Sequence, residues 1–304
     1  MTTTFRMAAA GLMLSAILAG CSQPADKPEA PAAPAVVATA DTHPFRIGEL
    51  QAVALRDGEI VLENAAGASP WDAAEVSELP GALAADGRIH LSVQPLLVRD
   101  GEHVVLIDTG AGGQMGTQNK LQGSLTAAGV QPGQVTDILI SHAHGDHVGG
   151  LVANGALVFP NAAIRMSADE WTAMRADPEA AAVVPVIAPK VQTFASGAQV
   201  TPSITAIALN GHTPGHTGYE IVSGEDRLLY FGDALHSAVI SVQRPEAVNA
   251  WDFNSDAAIA TRQNLLERGA TQSLRVYGVH FPWPGVGRFQ KREETFVWAP
   301  DATR

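Results

Sequence analysis

The stretch His142-Ala143-His144-Gly145-Asp146-His147 sets three imidazoles and a carboxylate within six residues. It directly follows Asp137-Ile138-Leu139-Ile140, a short apolar run that reads as a buried strand. A tight, glycine-containing loop at the end of such a strand is a well-anchored place for chemistry, because the sheet fixes its base. His142 and His144 are two positions apart, so on extended backbone they point to the same side and one cation can take both. Asp146 and His147 lie past the turn at Gly145 and can face a second cation. Imidazole and carboxylate together suit zinc, iron, manganese or cobalt better than calcium or magnesium. A single histidine near a turn is ordinarily a surface or core residue, but that reading does not account for this cluster.

Two metals need more ligands than four, and further candidates stand at other predicted strand ends. Gly211-His212-Thr213-Pro214-Gly215-His216-Thr217 is a second histidine-bearing loop between strands. Gly232-Asp233-Ala234 closes the apolar run Leu228 to Phe231, and His280 closes Leu274 to Tyr277.

Together these motifs resemble the metallo-β-lactamase fold superfamily, from about Val104 to His280, with Asp108-Thr109-Gly110 similar to its first motif. The resemblance implies an α/β fold, a single-domain αββα four-layer sandwich with its site along one edge of two sheets. It implies that His142, His144 and His216 hold the first metal, that Asp146, His147 and His280 hold the second, and that Asp233 bridges them. His212 is then outer support for a ligand. The expectation is exposed to a direct test: His216 or His280 pointing away from the cluster contradicts it.

Two divalent metal ions, zinc the first expectation, can share a hydroxide whose parent water is acidified towards neutral pH. That hydroxide would attack a carbonyl or phosphorus, the metals would stabilise the oxyanion, and Asp146 would steer the nucleophile or accept its proton. Within the superfamily, Asp233 and the lack of an available cysteine ligand disfavour the common zinc β-lactamases. The short stretch after His280 leaves no room for the glutathione-binding extension of glyoxalase II. The chain is more similar to methyl parathion hydrolase-like and quorum-quenching lactonase-like members, through Val93 to Gly150, Phe159-Pro160-Asn161-Ala162, Asn210 to Thr217 and His280-Phe281-Pro282-Trp283-Pro284-Gly285. This implies small, neutral lactone, ester or phosphotriester substrates. A β-lactam or thioester hydrolase, or a metal-binding periplasmic lipoprotein without turnover, is the alternative. Lactonases of the superfamily carry a tyrosine three residues after the bridging aspartate. Here that residue is His236, read either as a hydrogen-bond donor to substrate or as a packing residue. Trp171, Phe281 and Trp283 are the expected substrate walls, with Trp71 a further aromatic in an unassigned loop.

The 304 residues are 46% hydrophobic and carry 19 Lys and Arg against 31 Asp and Glu, a formal charge of −12. That balance argues against a nucleic-acid partner, which needs a basic patch. The single cysteine, Cys21, excludes an intramolecular disulfide and a thiolate zinc site in the folded domain. Residues 1–20 read as a signal segment, with one positive charge before the apolar run Met7 to Gly20. Leu18-Ala19-Gly20-Cys21 resembles a bacterial lipoprotein signal, which implies cleavage before Cys21, lipidation of it, and a membrane anchor. Ser22 in place of Asp implies the periplasmic face of the outer membrane. Residues 21–40 are an Ala/Pro-rich tether, and residues 41–304 form the hydrolase domain; a homodimer is an open option.

The remaining chain alternates strands and helices. Phe45 to Leu62 reads as one hairpin turning at Asp57-Gly58. Leu91 to Val98, His103 to Ile107, Ile204 to Leu209, Gly218 to Val222, Arg227 to Phe231 and Leu274 to Val279 read as strands. Lys120 to Ala128, Ser167 to Arg175 and Ser255 to Arg268 read as helices, the last stopped by Gly269.

Overall fold

The structure is a computed structural model that describes residues 1–4 and 36–302. The segment read as a signal beyond residue 4, the expected lipidation site Cys21 and the expected tether as far as residue 35 lie outside the described residues. In chain order the strands are β1 (Thr42–Ile47), β2 (Leu50–Leu55), β3 (Gly58–Glu63), β4 (Arg88–Val93), β5 (Leu96–Asp100), β6 (His103–Ile107) and β7 (Asp137–Leu139). There follow β8 (Val152–Ala153), β9 (Ala156–Leu157), β10 (Ala163–Ser167), β11 (Val191–Phe194), β12 (Gln199–Thr201) and β13 (Ile204–Ala208). The last are β14 (Thr217–Ser223), β15 (Asp226–Tyr230), β16 (Arg275–Tyr277), β17 (Val286–Arg292) and β18 (Thr295–Pro300).

One seven-stranded sheet has the order β1-β2-β5-β6-β7-β10-β11 and the other runs β12 to β18 in sequence. Side-chain alternation decides what each face meets. In β5 and β6, Leu96, Val98, Val105 and Ile107 point to the second sheet, where they pack with Ile204, Tyr219, Ile221 and Tyr230. The intervening Leu97 and Leu106 point the other way, to Leu121 and Leu125 of the helix Leu121–Ala127 and to Met174 of the helix Ala168–Ala176. On the far side of the second sheet, Leu229, Val276 and Phe289 pack on Leu265 and Leu266 of the helix Ser255–Thr271. The layers are therefore helix, sheet, sheet, helix, the αββα sandwich expected from the motifs.

Several local readings change. Phe45 to Leu62 is not one hairpin: the chain turns at Gly48-Glu49, where Gly48 has φ +53°, to pair β1 with β2. Asp57-Gly58 instead opens β3, which pairs with β4 in a separate ribbon. The Asp57 carboxylate accepts from the N–H groups of Ala111 (3.0 Å) and Leu121 (3.2 Å), so it brackets a loop and a helix start. Leu91 to Val98 breaks at Gln94-Pro95, where the proline has no N–H to give a ladder and the Gln94 amide donates to the carbonyls of Gly278 and Phe281. Gly269 does not stop its helix, which runs on to Thr271; a Cβ there would press on the Phe289 ring at 2.7 Å. The unassigned region 64–90 holds the short helix Ala73–Ser77, capped by Asp72.

Two parallel strand pairs position the site: β6 with β7, and β15 with β16. The carboxyl ends of all four carry the polar residues, one pair from each sheet.

Candidate metal centre

Asp108 follows β6 in a left-handed conformation, φ +59°, which an aspartate tolerates better than most residues. The bend turns its fully buried carboxylate into a hub. It accepts from the Ser141 N–H and hydroxyl, both at 2.7 Å, from the Tyr230 hydroxyl at 2.6 Å, and from His147 Nδ1 at 2.8 Å. The second sheet thereby braces the loop that begins at β7.

These bonds fix the imidazoles in turn. Because His147 donates Nδ1–H to Asp108, its Nε2 is the free nitrogen. The Ser141 hydroxyl donates to Asp108, so it accepts from His142 Nδ1 (3.1 Å) and leaves His142 Nε2 bare. His280 donates Nδ1–H to the Ser92 carbonyl at 2.7 Å, again freeing Nε2. His212 donates Nδ1–H to Asp252 at 3.1 Å, and Arg262, itself buried, holds Asp252. This carboxylate–histidine arrangement is the usual outer support of a metal ligand.

The free atoms converge in two groups, in each of which the potential ligand atoms lie within 4.8 Å of one another. The first comprises His142, His144, His212 and Asp233; the second comprises Asp146, His147 and His280. In the first, His144 Nδ1 is 3.1 Å from His142 Nε2 and 3.0 Å from His212 Nε2. Asp233 spans the two. Its Oδ2 is 3.6 Å from His142 Nε2 and 3.5 Å from His212 Nε2, while its Oδ1 is 3.3 Å from His147 Nε2 and 3.1 Å from His280 Nε2. Asp146 Oδ2 lies 3.5 Å from His147 Nε2 and 3.3 Å from His280 Nε2.

The structure does not place His216 in either group, contrary to expectation. Its Nδ1 donates to the Leu209 carbonyl (3.0 Å) and its Nε2 accepts from the Asp233 N–H (2.9 Å), so both ring nitrogens are occupied. Gly232, at φ +52°, lets the ring come this close; a Cβ there would stand 2.7 Å from His216 Nε2. The two histidines stand the other way round from the expectation. His212 reaches the centre from the loop, whereas His216 adjoins the start of β14 and packs behind Asp233.

The donors fit divalent cations. Asp146 and Asp233 are buried carboxylates, which demand nearby positive charge. His147 Nε2 and Asp233 Oδ1 are buried without a hydrogen-bond partner among the described residues. Burial, with His147 next to it, drops His142 well below the usual imidazole range, and burial takes His212 down to about 4, so both are neutral bases with lone pairs. Burial also opposes charge on His147 and His280, but in the metal-free chain Asp233 and Asp146 outweigh it and hold both above the usual value; a cation at their Nε2 atoms would take the place of that proton.

Glu170, which the sequence reading passed over, ties the two histidine loops together. Its Oε1 accepts from the Ala143 N–H at 2.8 Å; its Oε2 accepts from the Thr213 hydroxyl at 2.7 Å and the Gly215 N–H at 3.0 Å. A Cβ on Gly215 would overlap the backbone of Glu170, which accounts for the glycine in that loop.

None of the three aromatics expected as substrate walls lines the cleft beside the histidine groups. Phe281 is fully buried among Phe231, Phe289 and Trp298. Trp171 is half-buried on the outer core with Arg175 over its ring, and Trp283 packs on the inter-sheet core under Arg56. A cleft of about 380 Å³ opens beside His144 and His212, with Ala143, Met174, Pro214, Trp251 and Phe253 on its walls. His236 is fully buried, its ring edge-on to Trp71 (6.2 Å between centroids) and to Trp251 (5.5 Å), and its Nε2 is 3.1 Å from Asp233 Oδ2.

A family model described as the metallo-beta-lactamase superfamily matches residues 90–280. No curated protein matches the chain significantly. Among solved structures, AidC, a dizinc quorum-quenching lactonase in complex with a product, is 32% identical, with a TM-score of 0.79 over 87% of this chain and 98% of that one. AbOPH, a hydrolase in the beta lactamase superfamily, is 27% identical, with a TM-score of 0.79 over 88% of this chain and 100% of that one. A probable metal-dependent hydrolase from Staphylococcus aureus, 19% identical, shares the fold with a TM-score of 0.72 over 86% of this chain and 100% of that one. The match to the family model, the relative about a third identical over most of its length and the paired donor groups lead to one assignment: the chain is a metallo-hydrolase and belongs to the metallo-β-lactamase superfamily.

Proposed function

We propose that the protein hydrolyses small, neutral lactones and related esters at a pair of divalent cations, zinc being the expected metal. The observation that carries this reading is the placement of Asp233, whose two oxygens face two separate groups of histidines. The dizinc lactonase AidC, similar over most of the chain, supports the substrate class and the metal. We assign His142, His144 and His212 to one cation, Asp146, His147 and His280 to the other, and Asp233 to both.

When bound, such a pair supplies an acidified water and positive charge for a developing oxyanion. The protein's part is orientation. Asp146 is buried with its Oδ2 facing His147 and His280. Positive charge beside it, from those rings in the metal-free chain or from bound cations, would keep it ionised and able to take up the proton that an attacking water gives up. His236 Nε2 points into the same space and donates to the substrate carbonyl oxygen. Trp71 and Trp251 shield that side from water, and the cleft beside His144 receives the rest of the substrate.

Phosphotriester hydrolysis is a secondary activity of the same centre under this proposal. Lipidation at Cys21 and attachment to the periplasmic face of the outer membrane belong to it as well; the motif Leu18-Ala19-Gly20-Cys21 supports them. A Cys21→Ser chain that still fractionates with membranes would remove the anchor.

The deciding experiment is a panel of lactones, aryl esters, β-lactams and methyl parathion, with metal analysis of the same sample. Lactone or ester turnover that is lost with EDTA and regained with zinc supports the proposal. Two bound metals without turnover of any substrate would make the protein a metal-binding lipoprotein instead.

A further inference from the structure

The proton on His236 is placed by a residue outside the catalytic loops. Asn249 is fully buried, and its Oδ1 accepts from the Trp251 N–H at 2.9 Å. That bond settles which end of the amide is which: the Nδ2 end is the one that faces His236 Nδ1, at 3.1 Å. An amide nitrogen only donates, so His236 Nδ1 must accept and the ring proton of the neutral imidazole sits on Nε2. This Nε2 is buried and lies between the two cation groups, with the His212 ring 4.8 Å away and the His280 ring 5.8 Å away. Asp233 Oδ2 stands 3.1 Å from it but out of hydrogen-bonding alignment, so its proton remains unpaired among the described residues.

We infer that Asn249 is a positioning residue that locks His236 as the Nε2–H tautomer, making it a hydrogen-bond donor to substrate oxygen and barring it from serving as a further cation ligand. The inference deepens the proposed lactone hydrolysis and rests on that reading for the identity of the acceptor. The geometry on both sides of the ring is consistent with it. A bare Nε2 at this place would add a fourth imidazole to the group of His142, His144 and His212. A proton there turns the same ring into a donor aimed where charge develops.

The test uses the zinc-loaded protein with ¹⁵N-labelled histidine. Two-bond ¹⁵N–¹H spectra, with His236 assigned from the signal lost in His236→Ala, should show a protonated Nε2 and an unprotonated Nδ1. A protonated Nδ1 in the unmodified protein overturns the inference, whether or not any substrate is turned over. Asn249→Asp keeps the acceptor for the Trp251 N–H but replaces the donor facing His236 with an acceptor. It should move the proton to Nδ1 and lower kcat by about 100-fold with KM unchanged, the loss typical of one oxyanion donor. The double variant Asn249→Asp/His236→Ala should be no slower than His236→Ala alone, because both act through one ring. Active protein in which Asn249→Asp changes neither the spectrum nor kcat refutes the positioning role while leaving the lactonase reading intact. Absence of turnover in the unmodified protein refutes that reading and leaves the tautomer result standing.

Discussion

The backbone N–H of Asp233 donates to Nε2 of His216 at 2.9 Å. A histidine whose two nitrogens serve the Leu209 carbonyl and the Asp233 N–H braces the spanning carboxylate from behind and has no lone pair left for a cation.

Two variants separate this role from that of His212. His216→Ala leaves a buried N–H and a buried carbonyl unpaired, at about 1–3 kcal/mol each, so the metal-free protein should melt at lower temperature. His212→Ala removes a nitrogen that faces His144 and Asp233; bound metal should fall from two ions per chain towards one, with a smaller change in metal-free stability. Thermal melts and elemental analysis of both variants check this. The reverse pattern would return His216 to the ligand set.

Asp108 governs His147 through its tautomer. Asp108→Asn keeps the size and tolerates the left-handed backbone, but it presents an amide to four donors. The His147 Nδ1–H then loses its carboxylate acceptor, and metal affinity should drop about 10- to 100-fold. Competition with a fluorescent zinc chelator measures the change. Unaltered affinity in Asp108→Asn would show that Ser141 alone holds the ring.

The histidine cluster was legible in the sequence because six consecutive residues carry it and a strand of hydrophobic residues fixes its base. The layered fold was legible from the mixture of strands and helices and from the resemblance the motifs carry, whereas the two-faced burial of β5, Leu96 and Val98 to one side and Leu97 to the other, appears only in the structure. The choice between His212 and His216 was not legible: both occur in one loop, and only the backbone trace shows that His216 already adjoins β14. Glu170, Asn249, Asp252 and Arg262 carry no local motif, since each acts on a residue many positions away. Phe281 was misread because adjacency to His280 says nothing about which way a side chain turns, and it turns into the core.

Glu170 offers a test of loop coupling. Burial raises its pKa even though three donors oppose the rise, and those donors, from both loops, hold the carboxyl in place. Glu170→Gln must turn an amide N–H towards one set of donors, because an amide has only one accepting end. The expected result is a loss of about 1–3 kcal/mol in stability and faster hydrogen exchange at the N–H groups of both Ala143 and Gly215. Exchange that rises at only one loop would show that the two are held independently.

At the opposite end of β7 a different carboxylate sets an acid limit on the fold. Asp137 accepts from His103 Nδ1 (2.7 Å), Thr136 Oγ1 (2.9 Å) and Arg165 Nε (2.9 Å), joining β6, β7 and β10. Burial works to raise its pKa, but these three donors prevail and lower it below the ordinary 3.8. A carboxylate with a depressed folded-state pKa binds its proton more readily when unfolded. Its stabilisation is therefore complete above the unfolded value and disappears as pH falls through the folded one. The melting-temperature gap between the unmodified protein and Asp137→Asn should be constant above about pH 5 and close progressively below about pH 4. Comparing the two proteins at each pH cancels the titration of the carboxylates they share. A gap that stays constant down to the acid transition would mean that Asp137 gains nothing from its charge.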